Sequence, residues 1–326
     1  MGLINRFSTF VIASALALGG TAAPSLGQEK YPSRTIEFVA AFPGGSGADV
    51  LVRYFAQKIG QLTGATTFVT NKPGAGGNIA TEYTVRAKPD GYTIYIHSGS
   101  SVASSQMLMK APTYDVAKDL QVAATINQQA FMIAVDKASP YSTLQDLTTA
   151  MKEKKENASY GIATATGKIL GVLYSTKAGI SPIQVSYKQS SDATNDMKSG
   201  TIDFAIIDPV LALAQQRNGE SRLLAIASGT RMKSAPDVPT MTEGGVAGIN
   251  LIGWFAAMVP AQTPKPIVDQ INGWFKEILA QPDTVKFVQD NGGDVFVNAP
   301  EKGQELLKHS LVEWGEYIKI ADIPKN

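Results

Sequence analysis

The stretch Phe42-Pro43-Gly44-Gly45-Ser46-Gly47-Ala48-Asp49 decides how this chain is read. An apolar, β-type run over residues 36–41 precedes it, and apolar residues at helical spacing, Val50, Leu51, Phe55 and Ile59, follow it. Strand, glycine-rich turn and helix in that order aim backbone N–H groups at an anion. The first helical turn has orphan donors and the positive end of the macrodipole. Glycine lets the main chain come close to a ligand with no side chain in the way. The expected site therefore binds a negative group without a Lys or Arg of its own. Better-known loop chemistries fit less well. A Walker A loop needs Lys-Ser or Lys-Thr where Ala48-Asp49 stands, and a dinucleotide fingerprint from Gly45 needs glycine or alanine at Val50. The closest rival is a nucleophile elbow, because Gly44-Gly45-Ser46-Gly47-Ala48 reads G-x-S-x-A between a strand and a helix.

At 326 residues the chain is long for a single core, and two domains are expected. A net charge of +1 with acids and bases interspersed leaves no basic footprint for nucleic acid. Cysteine is absent, which removes disulfides, thiolate metal sites, cysteine nucleophiles and a lipid-anchored cysteine. The only histidines are His97 and His309, too few for a histidine-rich metal site. No metal or cofactor is expected. The N-terminus reads as a leader, residues 1–27: Arg6 supplies the positive region, residues 10–18 an apolar run, and Ala22 and Ala23 small residues. That run is too short to span a bilayer. Cleavage after Ala22, Ala23 or Gly27 fits the pattern, and the expectation is an exported, soluble protein, periplasmic in a cell with an outer membrane.

Further along, strand-like and helix-like runs alternate with short loops. Residues 66–70 are β-branched, Asn71-Lys72-Pro73-Gly74-Ala75-Gly76-Gly77 breaks them, and a helix is expected over 78–87. Residues 92–96 read as a buried strand leading to a polar loop, Ser98-Gly99-Ser100-Ser101. This order predicts a parallel sheet whose loops gather at one edge, with the 42–49 and 98–101 loops as neighbours. A second series begins near Thr125. It has strands over 131–135, 185–187, 202–207 and 223–227, Ser142 as the cap of a helix from Leu144, and Asp192 as the cap of another. Within it Tyr160-Gly161-Ile162-Ala163, Thr164-Ala165-Thr166-Gly167-Lys168 and an apolar helix repeat the strand–loop–helix device, and Asp208-Pro209 ends a strand. Residues 252–259 and helices over 267–279 and 304–320 return to the first domain. Trp254, Trp274 and Trp314 are read as core, and His309 as lying on an exposed helix face.

These segments together resemble the extracytoplasmic solute receptors of the tripartite tricarboxylate transporter family, the Bug-type receptors, over nearly the whole mature chain. The resemblance rests on Tyr31-Pro32-Ser33-Arg34, on Phe42 through Asp49, and on Asn71 through Asn78. It continues in Lys88-Pro89-Asp90-Gly91-Tyr92, Tyr114-Asp115, Tyr187-Lys188, Pro236-Asp237-Val238-Pro239-Thr240 and Trp254-Phe255. It implies an α/β, two-lobed periplasmic binding fold, each lobe a mainly parallel sheet flanked by helices, with the ligand in the cleft between. The expected lobes are residues 28–126 plus 253–326, and residues 127–252. The resemblance further implies ligand contacts from Phe42, Pro43, Gly44, Gly45, Ser46, Gly47, Ala48 and Asp49, with Ser98, Ser100 and Ser101 beside them. In the second lobe it implies Ala163, Thr164, Ala165, Thr166, Lys168 and Asp208. Here Thr164, Ala165 and Thr166 replace family glycines, and Lys168 stands where a neutral residue or histidine is usual.

The function that follows is capture of a small organic carboxylate, aliphatic or aromatic, and delivery to integral membrane transporter subunits by a monomer. Lys168 at a helix start either pairs with a far carboxylate or lies in solvent at the loop's edge. Asp49 and Asp208 either contact the ligand or only cap helices. The alternative is a secreted serine hydrolase with Ser46 as nucleophile and His309 as base. Catalysis is not the expectation.

Overall fold

The computed structural model describes residues 31–325; the leader expected over 1–27 lies outside them. The chain opens with β1 (Ile36–Ala40), α1 (Gly47–Thr63), β2 (Thr67–Asn71), α2 (Asn78–Val85), β3 (Thr93–Ser98) and α3 (Gly99–Leu108). One helical turn, α4 (Val116–Asp119), precedes the long strand β4 (Leu120–Ala130). Next come β5 (Met132–Asp136), α5 (Leu144–Lys154), β6 (Ser159–Ile162), α6 (Ala165–Ala178), β7 (Ile183–Ser186), α7 (Ser190–Lys198), β8 (Phe204–Ile207), α8 (Pro209–Arg217) and β9 (Ser221–Ile226). The chain closes with β10 (Ile252–Pro260), α9 (Lys265–Leu279), α10 (Pro282–Asp290), β11 (Asp294–Val295) and α11 (Pro300–Ile320).

Two sheets result, one per lobe. The first has six strands in the order β11-β4-β10-β3-β1-β2, and the second has five in the order β7-β6-β8-β5-β9. The expectation of mainly parallel sheets holds for β2-β1-β3 and for β7-β6-β8. Elsewhere pairing is antiparallel: β10 with β3 and β4, β11 with β4, and β5 with β8 and β9. Each sheet is therefore mixed. The reason is the path of the chain. It leaves the first sheet along β4 and re-enters along β10, and an exit strand beside a re-entry strand must run the opposite way.

Both faces of the strands are covered, as near-continuous apolar runs require. On β5, Ile133 and Val135 join the core that also contains Tyr160, Phe204, Tyr95 and Trp314, while Met132 and Ala134 join the core on the other side. The strong amphipathic helices dock by their apolar stripes: Val268, Ile271, Phe275 and Ile278 of α9 are buried, as are Leu307, Trp314 and Ile318 of α11.

Several local expectations are corrected. Residues 98–101 are a helix start and not a loop, since Ser98 caps α3 and Gly99 is already helical. The cap of α5 is Thr143 and not Ser142: Thr143 Oγ1 accepts Asp146 N–H at 3.1 Å while Asp146 Oδ2 accepts Thr143 N–H at 2.9 Å, a reciprocal capping box. Gln189, not Asp192, stands at the start of α7. α11 begins at Pro300, four residues early, because proline is preorganised for a first helical turn. Val50 faces outward, 43% exposed, while Leu51, Phe55 and Ile59 carry the buried stripe.

Candidate functional site

Four strands end in helix starts that meet at one place. β1 leads to α1 with Ser46 as its cap, β3 to α3 with Ser98, β6 to α6 with Thr164, and β8 to α8 with Asp208. β1 and β3 are parallel neighbours, as are β6 and β8, so each pair of starts lies at the same sheet edge. In each helix the cap oxygen accepts one N–H: Asp49 at 3.3 Å, Ser101 at 3.2 Å, Gly167 at 3.1 Å and Leu211 at 3.1 Å. Earlier N–H groups of the first turns of α1, α3 and α6 have no carbonyl in their own helix to bind and remain as donors, whereas α8 begins with Pro209, which has no N–H.

A cavity of about 790 Å³ lies among these starts. Phe42, Ala48, Leu51, Ser98, Ser100 and Ser101 line it from the first lobe, and Thr164, Thr166, Asp208, Val210, Leu211 and Ala214 from the second. The crossing segments add Asn127, Gln128, Gln129 and Phe131 on one path and residues 250–255 on the other. One flank of α11, with His309, Ser310, Glu313, Trp314 and Tyr317, closes a side. Among the described lining residues no Lys or Arg occurs.

Some expected site residues stand back from this lining. Pro43, Gly44, Gly45 and Ser46 form the turn behind it, and Gly45 needs its positive φ of 84°. Asp49 is fully buried, yet it faces the protein. Its carboxylate accepts Gly45 N–H at 2.8 Å and Asn71 Nδ2–H at 2.7 Å, and pairs with Arg53 Nε at 2.8 Å. Burial pushes its pKa up, but those partners outweigh burial and hold it below the usual carboxylate value. Asn71 also donates to Phe42 O at 2.9 Å, so Asp49 and Asn71 fix the turn between them. Ala163, Ala165 and Lys168 likewise lie outside the lining, and Lys168 Nζ donates to Asp322 O at 3.3 Å on the C-terminal tail.

Residue-type reasoning did not single out the crossing segments, Leu51, the α8 face or the α11 flank. The signal for the first was present: Asn127-Gln128-Gln129 interrupts an otherwise apolar strand. Trp254 and Trp314 are buried, as core residues should be, and also form cavity wall; Trp254 Nε1–H donates to Ser310 Oγ at 3.2 Å. The Ser46 and His309 of the hydrolase alternative are engaged elsewhere. Ser46 caps α1, His309 Nε2 sits 3.3 Å from Glu313 Oε1, and no hydrogen bond among the described residues joins the two.

Residues 51–323 match the family described as "Tripartite tricarboxylate transporter family receptor". The chain belongs to that family. Among proteins of related sequence, Protein BugT of Bordetella pertussis is 27% identical over 312 residues, covering 95% of each chain. Of the solved structures, the periplasmic binding protein BugD is 27% identical with a TM-score of 0.76, covering 91% of this chain and 100% of that one. The R. palustris protein Rpa4515, solved with adipate, is 25% identical with a TM-score of 0.79, covering 90% and 99%. The tripartite tricarboxylate receptor fold is thus shared across the described chain.

Proposed function

We propose that this receptor captures a small organic carboxylate in the periplasm and delivers it, as a monomer, to the membrane subunits of a tripartite tricarboxylate-type transporter. The observation that carries the reading is the convergence of α1, α3 and α6 on one cavity through neutral caps. Their free N–H groups and dipoles suit a carboxylate, and the lining offers no cation in their place. Rpa4515, of similar fold, holds adipate. In this reading residues 28–126 plus 253–326 form one lobe, 127–252 the other, and the leader is removed on export. Ala48, Ser98, Ser100 and Ser101 meet the ligand from one side, Thr164 and Thr166 from the other.

The test is a thermal-shift and calorimetric panel of mono-, di- and tricarboxylates on protein freed of carried-over ligand by unfolding and refolding. An acid at a hundred times its Kd adds about 2.7 kcal/mol of stability. A raised Tm with one class of acid supports the reading, and a flat panel overturns it.

A further inference from the structure

We propose that this cleft selects acids with one carboxylate and an apolar body, and that Asp208 turns a second carboxylate away. The inference rests on the carboxylate-receptor reading and deepens it.

The charges around the cavity carry it. Among the described residues the Asp208 carboxylate accepts one hydrogen bond, from Leu211 N–H, and pairs with no Lys or Arg. The residue lines the cavity. It also occupies the start of α8, so that one of the four helix starts presents a negative group where the other three present N–H donors. Asp49 behaves oppositely: its charge is matched by Arg53 and shut behind the turn. Glu313, the other carboxylate of the lining, has its Oε1 3.3 Å from His309 Nε2. Lys168, the cation at a second-lobe helix start, is directed to Asp322 O. A ligand carboxylate at the α8 end would meet a like charge with no cation to offset it.

Along α8 the cavity-lining residues are apolar. Val210, Leu211 and Ala214 of α8 share the cavity with Leu51 of α1 and Phe296. A cavity of about 790 Å³ exceeds what a four-carbon acid fills, and its apolar half gains by covering hydrocarbon. A single carboxylate at the α1, α3 and α6 starts, with a ring or branched chain lying against α8, satisfies both features. Discrimination then comes from a repulsive element as much as from an attractive one.

The experiment is calorimetry at pH 7.5 on refolded, ligand-free protein with two matched pairs, 4-methylbenzoate against terephthalate and hexanoate against adipate. At least one monoacid is expected to bind, and each that does so binds at least tenfold tighter than its diacid partner. Asp208→Asn keeps a good helix cap and removes the charge. It is expected to narrow the gap between monoacid and diacid at least fivefold. A wild-type gap below tenfold overturns the proposal without any variant, as does a gap that Asp208→Asn leaves unchanged. Diacid binding that exceeds monoacid binding sinks this inference alone. Failure of every carboxylate, in these pairs and in the wider panel, sinks the carboxylate reading with it.

Discussion

Asp49 and His97 illustrate opposite fates for a buried polar side chain. Asp49 is completed by Gly45, Asn71 and Arg53, so its charge braces the turn that carries Phe42. Asp49→Ala frees Gly45 N–H and Asn71 Nδ2, at a cost of about 1–3 kcal/mol. The expected outcome is a Tm lowered by several degrees together with weaker carboxylate binding, measured by melting and titration of the same preparation. Retained stability with lost binding would instead make Asp49 a ligand contact. His97 has no such completion. It is packed against Phe42, Tyr95 and Phe255 at ring distances of 4.8, 5.4 and 6.4 Å, and neither ring nitrogen has a hydrogen-bond partner among the described residues. Burial pushes its pKa down to about 3. The unfolded chain, with a histidine near 6.5, takes up a proton that the folded one refuses. The stabilising contribution is therefore whole above pH 6.5 and declines by about 1.4 kcal/mol per unit as the pH falls toward 3. In melts between pH 7.5 and 4, His97→Leu should show a shallower loss of stability than wild type. Parallel curves would place the acid sensitivity in the carboxylates.

At the scale of elements, the strand–turn–helix units were legible because their signals are local. An apolar run, then glycine or serine, then 3.6-residue spacing needs no partner to be recognised. This gave the turn at 42–49 and the start at 208, with residues 98–101 and 164–168 misread in extent, as loops where caps already begin α3 and α6. Pairing partners were less legible. β10 runs antiparallel to β3 and β4 for topological reasons, and β11 is two residues long with no pattern to detect. The α8 and α11 walls were missed because a cavity-facing apolar residue and a core-facing one look alike in sequence. One helix start shows how tight such packing is. A Cβ on Gly99 would lie 2.3 Å from Trp254 Cη2, part of a rigid ring already held by Ser310. Gly99→Ala should cost about 1–3 kcal/mol of stability and weaken ligand binding by displacing the indole from the cavity wall. Unchanged melting and binding would mean that the α3 start tolerates movement.

Across the whole molecule the two lobes are joined side by side. β4 and β10 are hydrogen-bonded neighbours where they cross, with Ile252 opposite Ala130 and Trp254 opposite Gln128. Asp294, opposite Gln128 on β11, accepts N–H groups of Lys233 and Ser234 from the second lobe at 2.7 and 2.8 Å. Three connections therefore fall on three adjacent strands. Rotation about the line of these strands disturbs their hydrogen bonds least, and it is the movement expected between the lobes. One distance across the cleft reports it. The chain has no cysteine of its own, so spin labels can be placed at will on Val50 of α1 and Ile183 of β7, both exposed. The distance distribution should shorten and narrow to one peak when the preferred acid is added, and it should keep its mean with acids that the cleft rejects. With Asp294→Ala the unliganded distribution should broaden, since a rotation stripped of its bearing begins to wobble.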